Sequence, residues 1–152
     1  HRPDLVDRVA VVSAQAIPSR WPRPLLAVLG VAAPLAQGER FARAQARELF
    51  IPPELFPDYL RTSRSLSRRT LIASVEENIR FTVPREWAAF PGDAVVLAGS
   101  KERAMMRTSA ALLARTHPRS TLELVDGCGH GIPLQRPRWL AERLRRWDRS
   151  QG

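Results

Sequence analysis

The stretch that most narrows the choice of fold is Asp93 to Ser100, Asp-Ala-Val-Val-Leu-Ala-Gly-Ser. A strand with one wet face alternates polar and apolar residues, whereas a run apolar at successive positions needs cover on both faces. That is the habit of a parallel sheet with helices on each side. Glycine closes the run and Lys101-Glu102 follows. Catalytic and binding groups in open α/β sheets gather at the carboxyl ends of strands, which makes Glu102 a candidate functional acid.

A second strand with an informative end is Thr121 to Pro137, Thr-Leu-Glu-Leu-Val-Asp-Gly-Cys-Gly-His-Gly-Ile-Pro-Leu-Gln-Arg-Pro. Here a short strand runs into a turn where Gly127, Gly129 and Gly131 surround His130. Such a turn is free to take positive φ and so to aim one side chain. Spacing alone is also satisfied by a strand-to-helix turn whose histidine is incidental. What favours a site is that His130 and Glu102 emerge on the same edge of the sheet. A carboxylate accepting from one imidazole nitrogen fixes the tautomer and leaves the other nitrogen to act as general base.

Arg8 to Ala14 reads as a strand of mostly apolar, β-branched residues after a helix end at Arg2 to Asp7. Ser13 closes that strand. No glycine brackets it, so it reads as a small polar end residue rather than a nucleophile. Its edge is expected to be open, and Val9, Ala10, Val11 and Val12 carry no charge or proline to discourage self-association.

Residues 17–90 carry most of the prolines, including Pro18, Pro22 and Pro24 around Trp21, so short helices joined by tight turns are expected. Leu25 to Ala33 is apolar nearly all round and should be buried or line a cavity. Glu39 to Leu49 and Ser67 to Ile79 read as helices, the second with Leu71, Ile72, Val75 and Ile79 on one face. Ala104 to Thr116 is a further helix whose Met105, Met106, Ser109, Leu112 and Leu113 should pack on the sheet. His117, before Pro118, is expected to be exposed and incidental. Pro137 to Arg149 forms the last helix, burying Trp139, Leu140, Leu144 and Trp147.

Charge does not point to a nucleic-acid partner, although 24 basic against 15 acidic residues leave the chain at +9. All basic residues but Lys101 are arginines, scattered on helix faces without a concentrated block. Cys128 is the single cysteine and reads as a small residue filling a turn, compatible with a reducing cytoplasm. The histidines and the cysteine are too far apart for a metal site, and no cofactor is expected. No apolar run reaches the roughly 18 residues of a membrane span.

In order along the chain, Pro3 to Ser13, Ala94 to Glu102 and Gly127-Cys-Gly-His130-Gly-Ile-Pro-Leu resemble three pieces of the α/β-hydrolase fold. They are similar to the strand after the nucleophile-bearing helix, the acid-bearing strand end and the histidine loop. The nucleophile elbow, Gly-x-Ser-x-Gly, is absent from all 152 residues, so the chain resembles a C-terminal half. The resemblance implies a partial α/β fold of three parallel strands with flanking helices, residues 1–16 and 91–152 forming core and 17–90 a helical cap. It implies His130 as base and acid, Glu102 orienting it, and a small apolar ester- or amide-like substrate touched by Trp21, Phe41, Phe56, Tyr59 and Phe81. A serine-type nucleophile would come from the missing N-terminal half, and the isolated chain would be inactive. Esterases, amidases, carbon–carbon hydrolases, acyltransferases and cofactor-free haloperoxidases share this apparatus. A non-catalytic basic binding module is the competing reading.

Overall fold

Three of the apolar runs form strands, β1 (Arg8–Val12), β2 (Asp93–Gly99) and β3 (Ser120–Val125), in one parallel sheet ordered β1-β2-β3. Val11 lies opposite Val96 and Val12 opposite Leu97 on one side of β2, while Ala94 pairs with Ser120 and Gly99 with Val125 on the other. This computed structural model describes residues 5–36 and 38–149, the side chains of 31–36 excepted, so the first half of the expected helix end at Arg2 to Asp7 lies outside the described residues. The chain divides into two compact units, His1–Ala16 with Val83–Gly152, and Ile17–Thr82.

In the first unit the central strand is covered on both faces, as its composition requires. Val95 and Leu97 sit in one cluster with Val125, Cys128 and Ile132, against which Val12, Trp139, Leu140, Leu144 and Trp147 pack. The last four belong to the C-terminal helix α8 (Pro137–Arg149). Val96 and Ala98 face the opposite way, into a cluster with Ala16, Ala110 and Leu113. Full burial of a Val or Leu side chain contributes about 1.5–3 kcal/mol, so β2 anchors both layers. β1 and β3 each have β2 as their one strand neighbour among the described residues, which leaves both outer edges unpaired there.

The second unit holds α1 (Pro22–Ala36), α2 (Glu39–Glu48), a 3₁₀ turn (Pro53–Leu55), α3 (Phe56–Ser65) and α4 (Arg68–Arg80). Ser67 caps α4, its hydroxyl accepting from the Thr70 N–H at 3.1 Å, which explains where that helix starts. Phe50 ends α2 in the left-handed region at φ 58°, with the Ile51 N–H bonded back to Ala46 O. Four-residue α5 (Arg85–Ala88), α6 (Ala104–Thr116) and the short α7 (Ile132–Gln135) complete the first unit.

Four expectations are corrected. Val83 to Phe90, assigned from sequence to the central segment, belongs to the first unit: Val83 and Trp87 pack on the Val96 and Ala98 cluster, and the Trp87 indole N–H donates to Leu113 O at 2.9 Å. The apolar stretch from Leu25, expected to be buried or to line a cavity, is not buried throughout, since Leu25 and Val28 are 45% and 65% exposed; α1 lies against α4, which leaves part of a mostly apolar helix uncovered. The side chains of 31–33 in that stretch lie outside the described residues. Met105 is exposed in the first turn of α6 and belongs to neither core cluster. His117, finally, is buried rather than exposed. Its ring lies 4.8 Å from Trp87 and 5.8 Å from Phe90, and both of its nitrogens have backbone partners. Among the described residues no helix is long and apolar enough to cross a membrane.

Candidate active site

The acid is placed by the turn that ends β2. The Glu102 N–H bonds to Gly99 O at 3.1 Å and tightens this turn, while the N–H groups of Ser100 and Lys101 bond to Val125 O and Cys128 O at 3.0 and 2.9 Å. Those bonds tie the end of β2 to the loop after β3. From α6, the Arg107 guanidinium donates to the carbonyls of Glu102 and Ser100. The backbone of the acid is thus held from three directions.

The histidine loop closes onto the same point. Gly127 takes φ 73°, a region glycine enters without a steric penalty, and its N–H donates to the Ser100 hydroxyl at 2.9 Å. The Gly129 N–H donates to Gln135 Oε1 at 2.8 Å, fastening the loop to α7. Gly99 is required for close approach, because a Cβ there would collide with the carbonyls of Cys128 and Gly129. Cys128 is buried in the core cluster and fills the turn, as its size suggested.

These restraints bring the two expected side chains together. His130 Nδ1 lies 3.8 Å from Glu102 Oε1, with the carboxylate side chain fully buried and the imidazole 47% exposed. The separation exceeds a hydrogen bond, so the direct bond expected between them is not formed in this geometry. Catalytic hydrogen bonds are often long before substrate arrives and shorten in the complex. Nε2 makes no hydrogen bond among the described residues, and a base arranged in this way would use that nitrogen.

The groups that hold the carboxylate are not among the residues expected at the site. Glu102 Oε1 accepts from the Ser13 hydroxyl at 2.5 Å and from the Gly99 N–H at 3.4 Å, while Oε2 is buried with no partner among the described residues. Ser13 therefore serves the acid and makes no hydrogen bond to His130 among the described residues. The one signal in the sequence was its position at the end of a strand destined to lie beside β2.

The five aromatic residues expected at substrate all fall in the second unit. Trp21, Phe41 and Phe81 are 72%, 43% and 44% exposed. Phe56 lies under the Arg43 guanidinium at 4.8 Å, and the Tyr59 hydroxyl donates to Gln45 Oε1 at 2.9 Å. Among the described residues no group of three or more His, Cys, Asp or Glu is placed to hold a metal.

No family model and no curated protein matches the sequence. Solved structures do. A thermophilic esterase from Thermogutta terrifontis aligns over 97% of this chain and 57% of its own, with TM-score 0.70 at 18% identity. An esterase from Exiguobacterium antarcticum aligns over 93% and 57%, with TM-score 0.75 at 15% identity. The 2-hydroxy-6-oxo-6-phenylhexa-2,4-dienoate hydrolase from Rhodococcus sp. strain RHA1 aligns over 97% and 57%, with TM-score 0.73 at 19% identity. The chain has a partial α/β-hydrolase fold. It spans less than two thirds of each of these enzymes, and at such identities the likeness establishes the fold and leaves chemistry to the site.

Proposed function

We propose that this chain supplies the histidine, the acid and a substrate-covering cap to an α/β-hydrolase site whose nucleophile lies outside it. The observation that carries the reading is the buried Glu102 carboxylate facing His130 Nδ1 at 3.8 Å, at the carboxyl ends of neighbouring parallel strands. His130 would take the proton of a serine-type nucleophile and return it to the leaving group, and Glu102 would orient and stabilise the imidazolium. The cap would be the central helical segment, with Trp21, Phe41, Phe56, Tyr59 and Phe81 available to a small apolar ester- or amide-like substrate. A basic binding module is less well supported, because Arg8, Arg43, Arg61, Arg80, Arg119 and Arg143 are held in ion pairs.

The test is hydrolysis of a nitrophenyl ester by the chain alone and by the chain supplied with a nucleophile-bearing N-terminal half of the same fold. Loss of a single oxyanion donor already costs about a hundredfold or more in turnover, so the chain alone should be inactive. The joined protein should hydrolyse the ester and lose that activity with His130→Ala. Full activity in that variant would overturn the reading. We propose also that the unpaired outer edge of β1 joins copies of the chain, and Ala10, exposed on that strand, is the place to probe it. Light scattering should find dimers or larger species at micromolar concentration, and Ala10→Lys should return them to monomers; a wild type monomeric throughout would rule this out.

A further inference from the structure

We infer that Ser13 is the positioning residue that aims the Glu102 carboxylate at His130, an inference that rests on the pairing proposed above. Two non-glycine residues among those described have positive φ, Ser13 at 52° and Phe50 at 58°. Phe50 has a local reason, since it closes a helix. Ser13 has none: it follows a strand, and its N–H continues the ladder by bonding to Leu97 O at 2.9 Å. Non-glycine residues avoid this backbone region unless their surroundings over-determine it, and such outliers cluster where a side chain has to be aimed. The turn at Ser13 puts its hydroxyl 2.5 Å from Glu102 Oε1, across 89 residues of sequence.

The chemistry of that contact is specific. Oε1 is the oxygen that faces His130 Nδ1, so the same atom accepts from Ser13 and confronts the imidazole. A carboxylate oxygen has two lone pairs; the short bond from the Ser13 hydroxyl takes up one, and the imidazole faces the same oxygen beside the long Gly99 contact. A hydrogen bond to a charged acceptor is among the stronger ones in a protein, and this acceptor sits on a fully buried side chain. The remaining contact to Oε1, from the Gly99 N–H at 3.4 Å, is too long to set the rotamer unaided. Among the described residues Ser13 makes no hydrogen bond to the base; its hydroxyl bonds to Glu102 and acts through it.

The test uses the whole chain and the tautomer of His130, read from its ring nitrogen resonances at a pH where imidazoles are neutral. The wild type should hold its proton mainly on Nδ1, toward Glu102. Ser13→Ala and Ser13→Gly should both lower the ratio of the Nδ1–H to the Nε2–H form by about threefold or more, since each removes the hydroxyl. Glycine accepts a φ of 52° without strain, so that variant keeps the fold and separates the hydroxyl from the backbone. Ser13→Cys, which retains a weak donor, should recover part of the ratio. Glu102→Gln serves as the reference. If that variant moves the tautomer and both Ser13 variants leave it at the wild-type ratio, the role of Ser13 is overturned and the pairing stands. If Glu102→Gln leaves the tautomer unmoved as well, the pairing itself fails.

Discussion

The two ends of the sheet each carry one histidine, and they are built to opposite purposes. At the amino ends of β2 and β3, His117 is buried between the rings of Trp87 and Phe90. Its Nδ1 accepts from the Arg119 N–H, which can only donate, so Nε2 carries the proton toward Phe90 O. At the carboxyl ends His130 is half exposed on a glycine-rich loop, with the acid 3.8 Å away and Nε2 unbonded among the described residues. An imidazole with both nitrogens committed to backbone contributes to the fold, whereas one with a nitrogen left over is available for chemistry. The lesson is that the partners of a histidine, more than its position near a strand, decide what it does.

The largest effect that could break this contrast is the loss of His117. His117→Ala removes a ring from a closed site and strands the Arg119 N–H and the Phe90 carbonyl, and it should cost about 3 kcal/mol by urea denaturation. His130→Ala should stay within about 0.5 kcal/mol of wild type. Equal losses in the two variants would erase the distinction. A smaller but sharper probe is Gly99→Ala, whose Cβ collides with the Cys128 and Gly129 carbonyls. We expect a loss of about 2 kcal/mol together with displaced amide resonances from residues 127 to 131, because the strand end and the histidine loop move as one. The least effect belongs to Ser109→Ala in α6. Its hydroxyl is fully buried yet has no partner among the described residues, so removal should change stability by no more than about 0.5 kcal/mol or raise it. A large loss there would mean that burial alone, without partners, gives a polar group its weight.

Under the proposed function the ranking of the two histidines reverses. His130→Ala, nearly silent in unfolding, should be the variant that removes ester hydrolysis once a nucleophile-bearing half is supplied.

What the sequence determined by itself was whatever depends on local pattern. The unbroken apolar run of Ala94 to Gly99 dictated a strand covered on both faces, and Val95 and Leu97 do face one cluster while Val96 and Ala98 face the other. Helix positions followed from periodicity and punctuation: Ser67 caps α4, and Pro137 opens α8, whose tryptophans and leucines pack on the sheet cluster as their spacing selected, although they are only partly buried. The meeting of Glu102 with His130 was legible because strand ends of a parallel sheet share an edge. The tertiary structure alone decided which groups complete those local pieces. Ser13 reaches Glu102, and the Trp87 indole reaches Leu113, across 89 and 26 residues of chain, separations at which periodicity carries no information. His117 looked exposed because a turn before proline usually is, and only the approach of Trp87 and Phe90 enclosed it. Leu25 and Val28 were expected to be buried or to line a cavity because they are apolar, but how far a mostly apolar helix is covered depends on how many neighbours arrive. Local sequence sets what each segment prefers, and burial and hydrogen-bond partners are settled only when distant segments meet.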